Sequence, residues 1–148
     1  MKISSKGRYG LASMISLSTS YENNEYITII SIAEKLGISK IYLEQVFSLL
    51  KRANLVTSTK GSQGGYQLSK SPDNITAFDI LSAIEIGLFE KTDTSVSKNS
   101  IHIEKSMSLL IWDKLDNTVY TTLNAITLND LVKEANKYTN VSDIMFYI

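Results

Sequence analysis

Side chains expected to contact nucleic acid begin at Ser39 and continue in the segment Lys40-Ile41-Tyr42. Lys40 can neutralise a phosphate, and Tyr42 can donate or accept a hydrogen bond. Gln45 matches the hydrogen-bonding edge of adenine, and Glu44 can accept a hydrogen bond from cytosine. These residue types at these spacings predict a surface that reads base edges in the major groove of DNA.

The elements that must position these side chains are two short amphipathic helices within residues 31–56, broken at Gly37. Thr28 or Ser31 can cap the first helix, and Ser39 can cap the second. The second helix is predicted to turn its apolar side chains inward, namely Ile41, Leu43, Val46, Phe47 and Leu50. This pattern predicts a helix-turn-helix, although helical hairpins of globular domains without DNA-binding function share it.

A glycine-rich segment, Lys60-Gly61-Ser62-Gln63-Gly64-Gly65-Tyr66, follows between the strand-like residues 55–56 and 66–68. Without bulky apolar groups, the backbone of such a hairpin tip can approach a phosphate or enter a minor groove. We therefore expect Lys60, Gly61, Gln63 and Gly64 to contact DNA as the wing of a winged helix-turn-helix. The wing favours DNA binding over an ordinary helical hairpin.

The 148-residue chain has 15 basic and 15 acidic residues, but the charge is divided unevenly. Residues 1–76 hold 9 basic and 5 acidic residues, whereas residues 77–148 hold 6 basic and 10 acidic ones. A basic first half suits phosphate binding.

The chain has no cysteine, which excludes disulfides and thiolate metal sites. Since it shows no apolar run of membrane-spanning length and no signal peptide, we expect a cytoplasmic protein without membrane contact.

The expected fold class is mainly α with a small β-hairpin wing, in four parts. A DNA-binding domain occupies residues 1–85, a loop residues 86–100, a dimerisation helix residues 101–125, and a C-terminal helix and apolar tail residues 126–148. The first helix should run to about Ser20, and its start carries Lys6 and Arg8, which either contact phosphate or are simply solvated. Ser5 and Lys6 are the expected DNA contacts there. Two capping-box patterns, Thr76 to Asp79 and Thr127 to Asp130, should open later helices, the second ending near Lys137.

Apolar residues recur about every four positions between residues 101 and 124, which predicts one helix roughly 36 Å long. Its apolar face is predicted from Ile103, Met107, Leu110, Ile111, Leu115, Val119 and Leu123. An 85-residue domain cannot cover so long a face, so we expect a homodimer through this helix; intramolecular packing is the alternative. Two-fold symmetry would place the recognition helices on half-sites about 34 Å apart.

Four parts of the chain resemble the Rrf-type winged-helix regulators. They are the opening Met1-Lys2-Ile3-Ser4-Ser5-Lys6-Gly7-Arg8-Tyr9-Gly10, the Tyr42-Leu43-Glu44-Gln45 core, the wing, and Ile75-Thr76-Ala77 with Asp79-Ile80. The resemblance implies a homodimeric DNA-binding regulator, with the recognition helix in the major groove and the wing tip in the minor groove. Many relatives carry arginine at the wing position of Lys60, and lysine lacks the planar fork for bidentate hydrogen bonding.

Cluster-binding members of that family hold three cysteines around the loop and the start of the long helix. Residues 92–105 here offer only His102 as a soft ligand, and one histidine cannot hold an iron–sulfur cluster. We therefore expect no cofactor and treat His102 as a surface or packing residue.

Within the family, Thr127-Leu128, Asp130-Leu131 and the terminal Met145-Phe146-Tyr147-Ile148 resemble the cysteine metabolism repressor of Gram-positive bacteria. That resemblance implies control of cysteine and sulfur genes, with cysteine synthase as a partner. Such enzymes accept a C-terminal isoleucine in their active-site cleft, so Phe146, Tyr147 and Ile148 are the expected contacts. Alternatively, residues 145–148 form a strand or plug on their own dimer.

A different cluster-free regulator of the same family is one alternative to a repressor of cysteine genes, and two other function classes compete with a DNA-binding repressor. A protein-interaction module regulating an enzyme without binding DNA would not need Lys40, Gln45 and Lys60. An enzyme is disfavoured by the absence of cysteine, the single histidine and the absence of a P-loop, since Gly61–Gly65 is not followed by Lys-Ser/Thr.

Overall fold

The computed structural model describes residues 1–94 and 99–146, with side chains described through residue 139. Its elements in chain order are α1 (Ser5–Ser18), α2 (Ile29–Leu36), α3 (Lys40–Arg52), β1 (Val56–Thr59), β2 (Gly65–Leu68), α4 (Ala77–Ile84), α5 (Ile101–Met107), α6 (Asp113–Asn124) and α7 (Leu128–Phe146). Short 3₁₀ turns span Pro72–Asn74 and Ile86–Phe89, and a π-helical turn spans Ser108–Trp112. The fold is mainly α with one β-hairpin, as the sequence predicts.

The helix-turn-helix is built from local capping interactions. The Thr28 hydroxyl accepts the Ser31 N–H at the start of α2, so Thr28 rather than Ser31 is the N-cap. Gly37 ends α2 in the left-handed region, with φ of 67°, where glycine carries no steric penalty. Ser39 then caps α3 through the Tyr42 N–H. These caps separate the two helices by three residues and fix the turn between them.

The wing is an antiparallel hairpin in which Val56 pairs with Leu68 and Thr59 pairs with Gly65. Ile27 exchanges two backbone hydrogen bonds with Tyr66, at 2.8 and 2.7 Å, and so joins the residues before α2 to the wing. Tyr66 also packs its ring against Phe47 of α3, with centroids 4.7 Å apart. The wing is therefore held against both helices of the helix-turn-helix.

The hydrophobic core lies among α1, α2, α3, α4 and the wing, and it includes residues next to these elements. Buried side chains come from every one of these elements: Met14, Leu17, Ile32, Leu43, Val46, Phe47, Leu50, Leu55, Val56, Leu68, Ile75, Ile80 and Ile84. Leu128 at the start of α7 is fully buried in the same cluster. The first 85 residues consequently share their core with the C-terminal segment.

Hydrogen bonds attach that C-terminal segment to the start of α4. The Ala77 N–H donates to the Ile126 carbonyl and the Leu128 N–H donates to the Ile75 carbonyl, at 2.8 and 2.7 Å. The Thr76 hydroxyl also donates to Oδ1 of Asn124 at 3.1 Å. Thr76 at the same time forms the predicted capping box with Asp79. The junction of α6 and α7 is thus anchored to the winged domain.

The predicted helix over residues 101–124 consists of α5, the π-helical turn and α6 in direct succession. Side chains four residues apart are rotated by roughly 40° from one another on an α-helix, so a four-residue repeat drifts around it. A π-helical turn contains more residues per turn than an α-helix, so side chains four residues apart no longer advance by that rotation there. On the predicted face Ile103, Leu110, Ile111 and Leu115 are exposed, while Met107, Val119 and Leu123 are partly buried.

The second predicted capping box opens α7: the Thr127 N–H donates to Asp130, and the Asp130 N–H donates back to the Thr127 hydroxyl. The backbone hydrogen bond from Thr127 holds the pKa of Asp130 below its ordinary value. The expected end of this helix near Lys137 is wrong, because α7 continues to Phe146. A strand at Met145 and Phe146 is excluded for the same reason.

No helix in the described ranges combines the length and apolar character needed to cross a membrane.

Candidate nucleic-acid interface

One side of α3 presents its polar residues to solvent while the other side is buried. Lys40, Glu44 and Gln45 are exposed, as predicted. The Lys40 ammonium lies 3.7 Å from the Glu44 carboxylate, one helical turn away, and both side chains are about half exposed. This exposed ion pair is weak. Both groups can therefore exchange partners for a phosphate or a base at low energetic cost.

Tyr42, expected on the outer face, is only partly exposed. Its ring packs against that of Tyr9 of α1 in a T-shaped arrangement, with centroids 5.4 Å apart. The Lys6 ammonium lies 5.8 Å from the centroid of the same ring, a cation–π distance. Tyr42 thus fixes the N-terminal turn of α1 beside α3 and places Lys6 next to the polar face of α3. Sequence periodicity could not identify Tyr9 as its partner.

Ile41 is the residue of α3 that the sequence misplaces. Its apolar side chain predicts an inward orientation, but 71% of its surface is exposed. Leu43, Val46, Phe47 and Leu50 fill the core completely from the other side of the helix. Because α3 can present only one face to the core, Ile41 falls on the solvent side of the apolar boundary.

At the start of α1, protein groups already satisfy some of the backbone donors. The Ser4 hydroxyl accepts the Gly7 N–H at 3.1 Å, and the Ser4 N–H donates to Glu85 at 2.7 Å. Ser5 accepts a hydrogen bond from the Arg8 guanidinium at 3.1 Å. Lys6 is the predicted contact residue of α1 that this structure brings next to α3, whereas Ser5 interacts within its own helix turn.

The wing tip is a tight turn in which the Gly64 N–H donates to the Gly61 carbonyl at 3.0 Å. Gly61 has φ of 104°, and a Cβ atom on Gly64 would lie 2.4 Å from the Thr59 carbonyl oxygen. Both positions therefore require glycine. Lys60, Gly61 and Gln63 are exposed and Gly64 partly so, which leaves the tip open to a ligand.

Two shallow clefts connect these elements into one surface. The α3–wing cleft is lined by Lys40, Glu44, Lys60, Gly61 and Gly64, among others. The α1–α3 cleft is lined by Lys6, Ile41, Glu44, Gln45, Ser48 and Leu49. Glu44 belongs to both clefts, so they adjoin. Gln63 lines a third cleft with Asn24, Thr28 and Gly64, and the last two of these residues also line the α3–wing cleft.

A side-chain hydrogen bond fixes the wing relative to α3. The Lys51 ammonium, in the last turn of α3, donates to the Ser58 hydroxyl of β1 at 2.6 Å. The spacing between the two parts of the proposed contact surface is thereby set by packing and by this bond. An arrangement fixed in advance loses less conformational entropy on binding.

The residues predicted to bind a partner enzyme are only partly within the described residues. Phe146 is the last residue of α7, and Tyr147 and Ile148 lie outside the described residues.

Comparisons with known proteins give one consistent result. The family model Rrf2, described as an iron-dependent transcriptional regulator, matches residues 3–134. The chain is 37% identical to the transcriptional regulator CymR of Bacillus subtilis, over 100% of both chains. It is 32% identical to the regulator IscR of Vibrio campbellii, over 97% of this chain and 83% of that one.

Solved structures agree with the sequence matches. The structure of CymR from B. subtilis, described as the global cysteine regulator, superposes with a TM-score of 0.74 at 36% identity, covering 90% of this chain and 98% of that chain. IscR of T. potens gives a TM-score of 0.69 at 36% identity, covering 91% and 88%.

The family description names iron, which would need donor groups of the protein to hold it. The sequence contains no cysteine and one histidine, His102, which is exposed on α5. Within residues 1–94 and 99–146, no group of three His, Cys, Asp or Glu side chains could hold a metal ion. Iron–sulfur clusters are bound mainly through cysteine thiolates. The residues therefore do not fit an iron–sulfur cluster.

Proposed function

The chain belongs to the Rrf2 family of transcriptional regulators, and from this membership we propose a dimeric, sequence-specific DNA-binding repressor of cysteine and sulfur metabolism genes. The observation that carries the proposal is the pair of adjoining clefts that joins Lys6, Lys40, Gln45 and Lys60 in one exposed surface. Cationic and amide groups on one face of a helix-turn-helix suit a DNA duplex.

In the proposed complex, α3 enters the major groove with its N-terminal turns first. Gln45 and Glu44 face base edges, while Lys6 and Lys40 lie near phosphates. The wing tip reaches the adjacent minor groove, where Gly61 and Gly64 allow close approach of the backbone and Lys60 supplies positive charge. Phosphate contacts set the register of the protein on DNA, and base contacts give sequence preference.

The proposed dimer forms through the helical segment of residues 101–124. Leu110 and Leu115 are 62% and 55% exposed, and Ile103 and Ile111 are exposed beside them. Contiguous apolar surface of this kind is characteristic of an interface. A second copy related by two-fold symmetry would bring the same residues of both chains together and present two α3 helices to one DNA duplex.

The assignment to cysteine and sulfur genes is supported by the full-length similarity to CymR of B. subtilis. We further propose that the chain works with cysteine synthase as its metabolite-sensing partner, through Phe146, Tyr147 and Ile148. On this proposal the chain itself needs no metal or small-molecule cofactor. The enzyme reports the supply of the cysteine precursor by releasing or retaining the repressor, through mass action.

The test is selection of genomic DNA fragments by the purified protein at several salt concentrations. Enrichment of promoters of sulfur-assimilation genes, with affinity that falls steeply as salt rises, is the expected result. Enrichment of unrelated promoters would support the DNA-binding function and overturn the assignment to cysteine and sulfur genes. Absence of salt-dependent binding to any fragment would instead favour a protein-interaction module.

A further inference from the structure

Ile41 places an exposed aliphatic side chain in the first turn of the proposed recognition helix. Its exposure of 71% exceeds that of nearly every other large apolar side chain described. Single exposed apolar residues are common on protein surfaces and need no explanation by themselves. The position of Ile41 among groups suited to DNA is what gives its exposure a functional meaning.

The neighbours of Ile41 are the second observation. It lines the α1–α3 cleft together with Lys6, Glu44 and Gln45. Gln45 is four residues further along α3, so the two side chains are neighbours on the same face of the helix. In a complex in which Gln45 reads a base edge, Ile41 would face a neighbouring edge, nearer the N-terminal end of α3.

The chemistry of the major groove limits what an aliphatic group can recognise there. Isoleucine neither donates nor accepts hydrogen bonds, so it cannot read the amino, carbonyl or ring-nitrogen groups of bases. The apolar group displayed in the groove is the C5-methyl of thymine. We propose that Ile41 packs against a thymine methyl in each half-site and so selects thymine beside the base read by Gln45. This inference rests on the proposed function.

Ile41 and Lys6 should affect DNA binding in different ways. Loss of Lys6 should weaken binding to all sequences, because phosphate contacts carry no sequence information. Loss of Ile41 should remove discrimination at one base pair per half-site and leave the salt dependence unchanged. Since Ile41 is exposed, its replacement by alanine leaves the core of the winged domain intact.

The experiment uses the full chain and a duplex chosen by genomic selection and footprinting. Each thymine is replaced in turn by deoxyuridine, which removes only the C5-methyl group. For the natural protein, such a replacement at the contacted thymine of only one half-site should weaken binding about threefold to fourfold, the effect of removing one buried methyl-sized group. Replacement in both half-sites should weaken it about tenfold.

The same duplexes are then measured with Ile41→Ala and with the matched control Ile86→Ala, which alters an exposed isoleucine outside both clefts. Ile41→Ala should bind the thymine and deoxyuridine duplexes equally, whereas Ile86→Ala should keep the full difference. Sequence-selective binding by the natural protein without sensitivity to any thymine methyl would overturn this inference alone. Undiminished sensitivity in Ile41→Ala would overturn it too, and failure to select any DNA would overturn the proposed function together with it.

Discussion

The backbone N–H of Ser4 donates a 2.7 Å hydrogen bond to Oε1 of Glu85, a residue 81 positions later in the chain. Ser4 caps α1, and Glu85 directly follows α4. The bond therefore joins the start of the helix that carries Lys6 to the residue that follows α4. A carboxylate at this position also lies favourably near the positive end of the α1 dipole.

Glu85→Ala should lower the free energy of unfolding by about 1 kcal/mol, because one charge-assisted hydrogen bond at a partly exposed site is lost. Urea denaturation followed by circular dichroism measures the change. Glu90→Ala, at a nearby exposed carboxylate, is the control and should change the stability by less than about 0.5 kcal/mol. Equal effects of the two variants would show that the Ser4–Glu85 bond does not stabilise the fold.

Gln45→Ala should weaken binding to the selected site by about 1 to 3 kcal/mol, since a bidentate contact with adenine would be lost. Fluorescence anisotropy with the selected duplex and a random duplex of equal length measures the effect. The loss on random DNA should be small, because phosphate contacts remain. Similar weakening on both duplexes would assign Gln45 a packing or positioning role instead.

Lys60→Ala should reduce the slope of log affinity against log salt by about one per half-site, because one phosphate-neutralising charge is removed at each wing tip. Lys70→Ala provides a matched control, since Lys70 is exposed beyond β2, away from the tip. Its slope should equal that of the natural protein. A Lys60→Ala slope that does not change would mean that this side chain remains in solvent in the complex.

Replacing both Ile111 and Leu115 with Asp should give a monomer or an unfolded chain, because the proposed dimer would bury two unpaired charges per subunit. Sedimentation velocity distinguishes these states from a dimer. A control carrying Lys114→Asp and Thr121→Asp, at exposed polar positions of α6, should remain dimeric. If the Ile111/Leu115 double variant sediments as a folded dimer, the interface lies elsewhere.

Removing Ile148 should abolish binding of cysteine synthase while leaving dimerisation and DNA affinity unchanged, because the partner contacts are proposed at residues 146–148. Isothermal titration calorimetry measures the interaction, and added O-acetylserine should compete with it. Tyr138→Ala, which alters an exposed aromatic residue earlier on α7, should bind the enzyme normally. Undiminished binding of cysteine synthase by the truncated chain would contradict the proposed contact through residues 146–148.

Prediction from sequence was most accurate where a structure depends on residues close together in the chain. The predicted caps are present: Thr76 pairs with Asp79, Thr127 pairs with Asp130, and Ser39 caps α3. Gly37 ends α2 in the predicted left-handed conformation. Each of these features depends on hydrogen bonds or backbone angles within about four residues, so the local sequence specifies it.

The site was less predictable wherever its geometry depends on distant elements. Tyr42 is partly buried because Tyr9 and Lys6 of α1 meet its ring, and Ile41 is exposed because α3 turns its opposite face to the core. A residue at the edge of the apolar face of a helix can be either buried or exposed. A small rotation of the helix against its neighbours decides between them.

The order of the helices, their caps, the turn at Gly37 and the glycine-rich wing could all be predicted from the residues, because short-range sterics and hydrogen bonds specify them. Three relationships depend on the folded chain as a whole: Leu128 is buried in the same core as α1 and α3, Glu85 reaches Ser4, and α3 and the wing share a continuous exposed surface. Those relationships join residues tens of positions apart, and they arise when the whole chain buries its apolar surface at once.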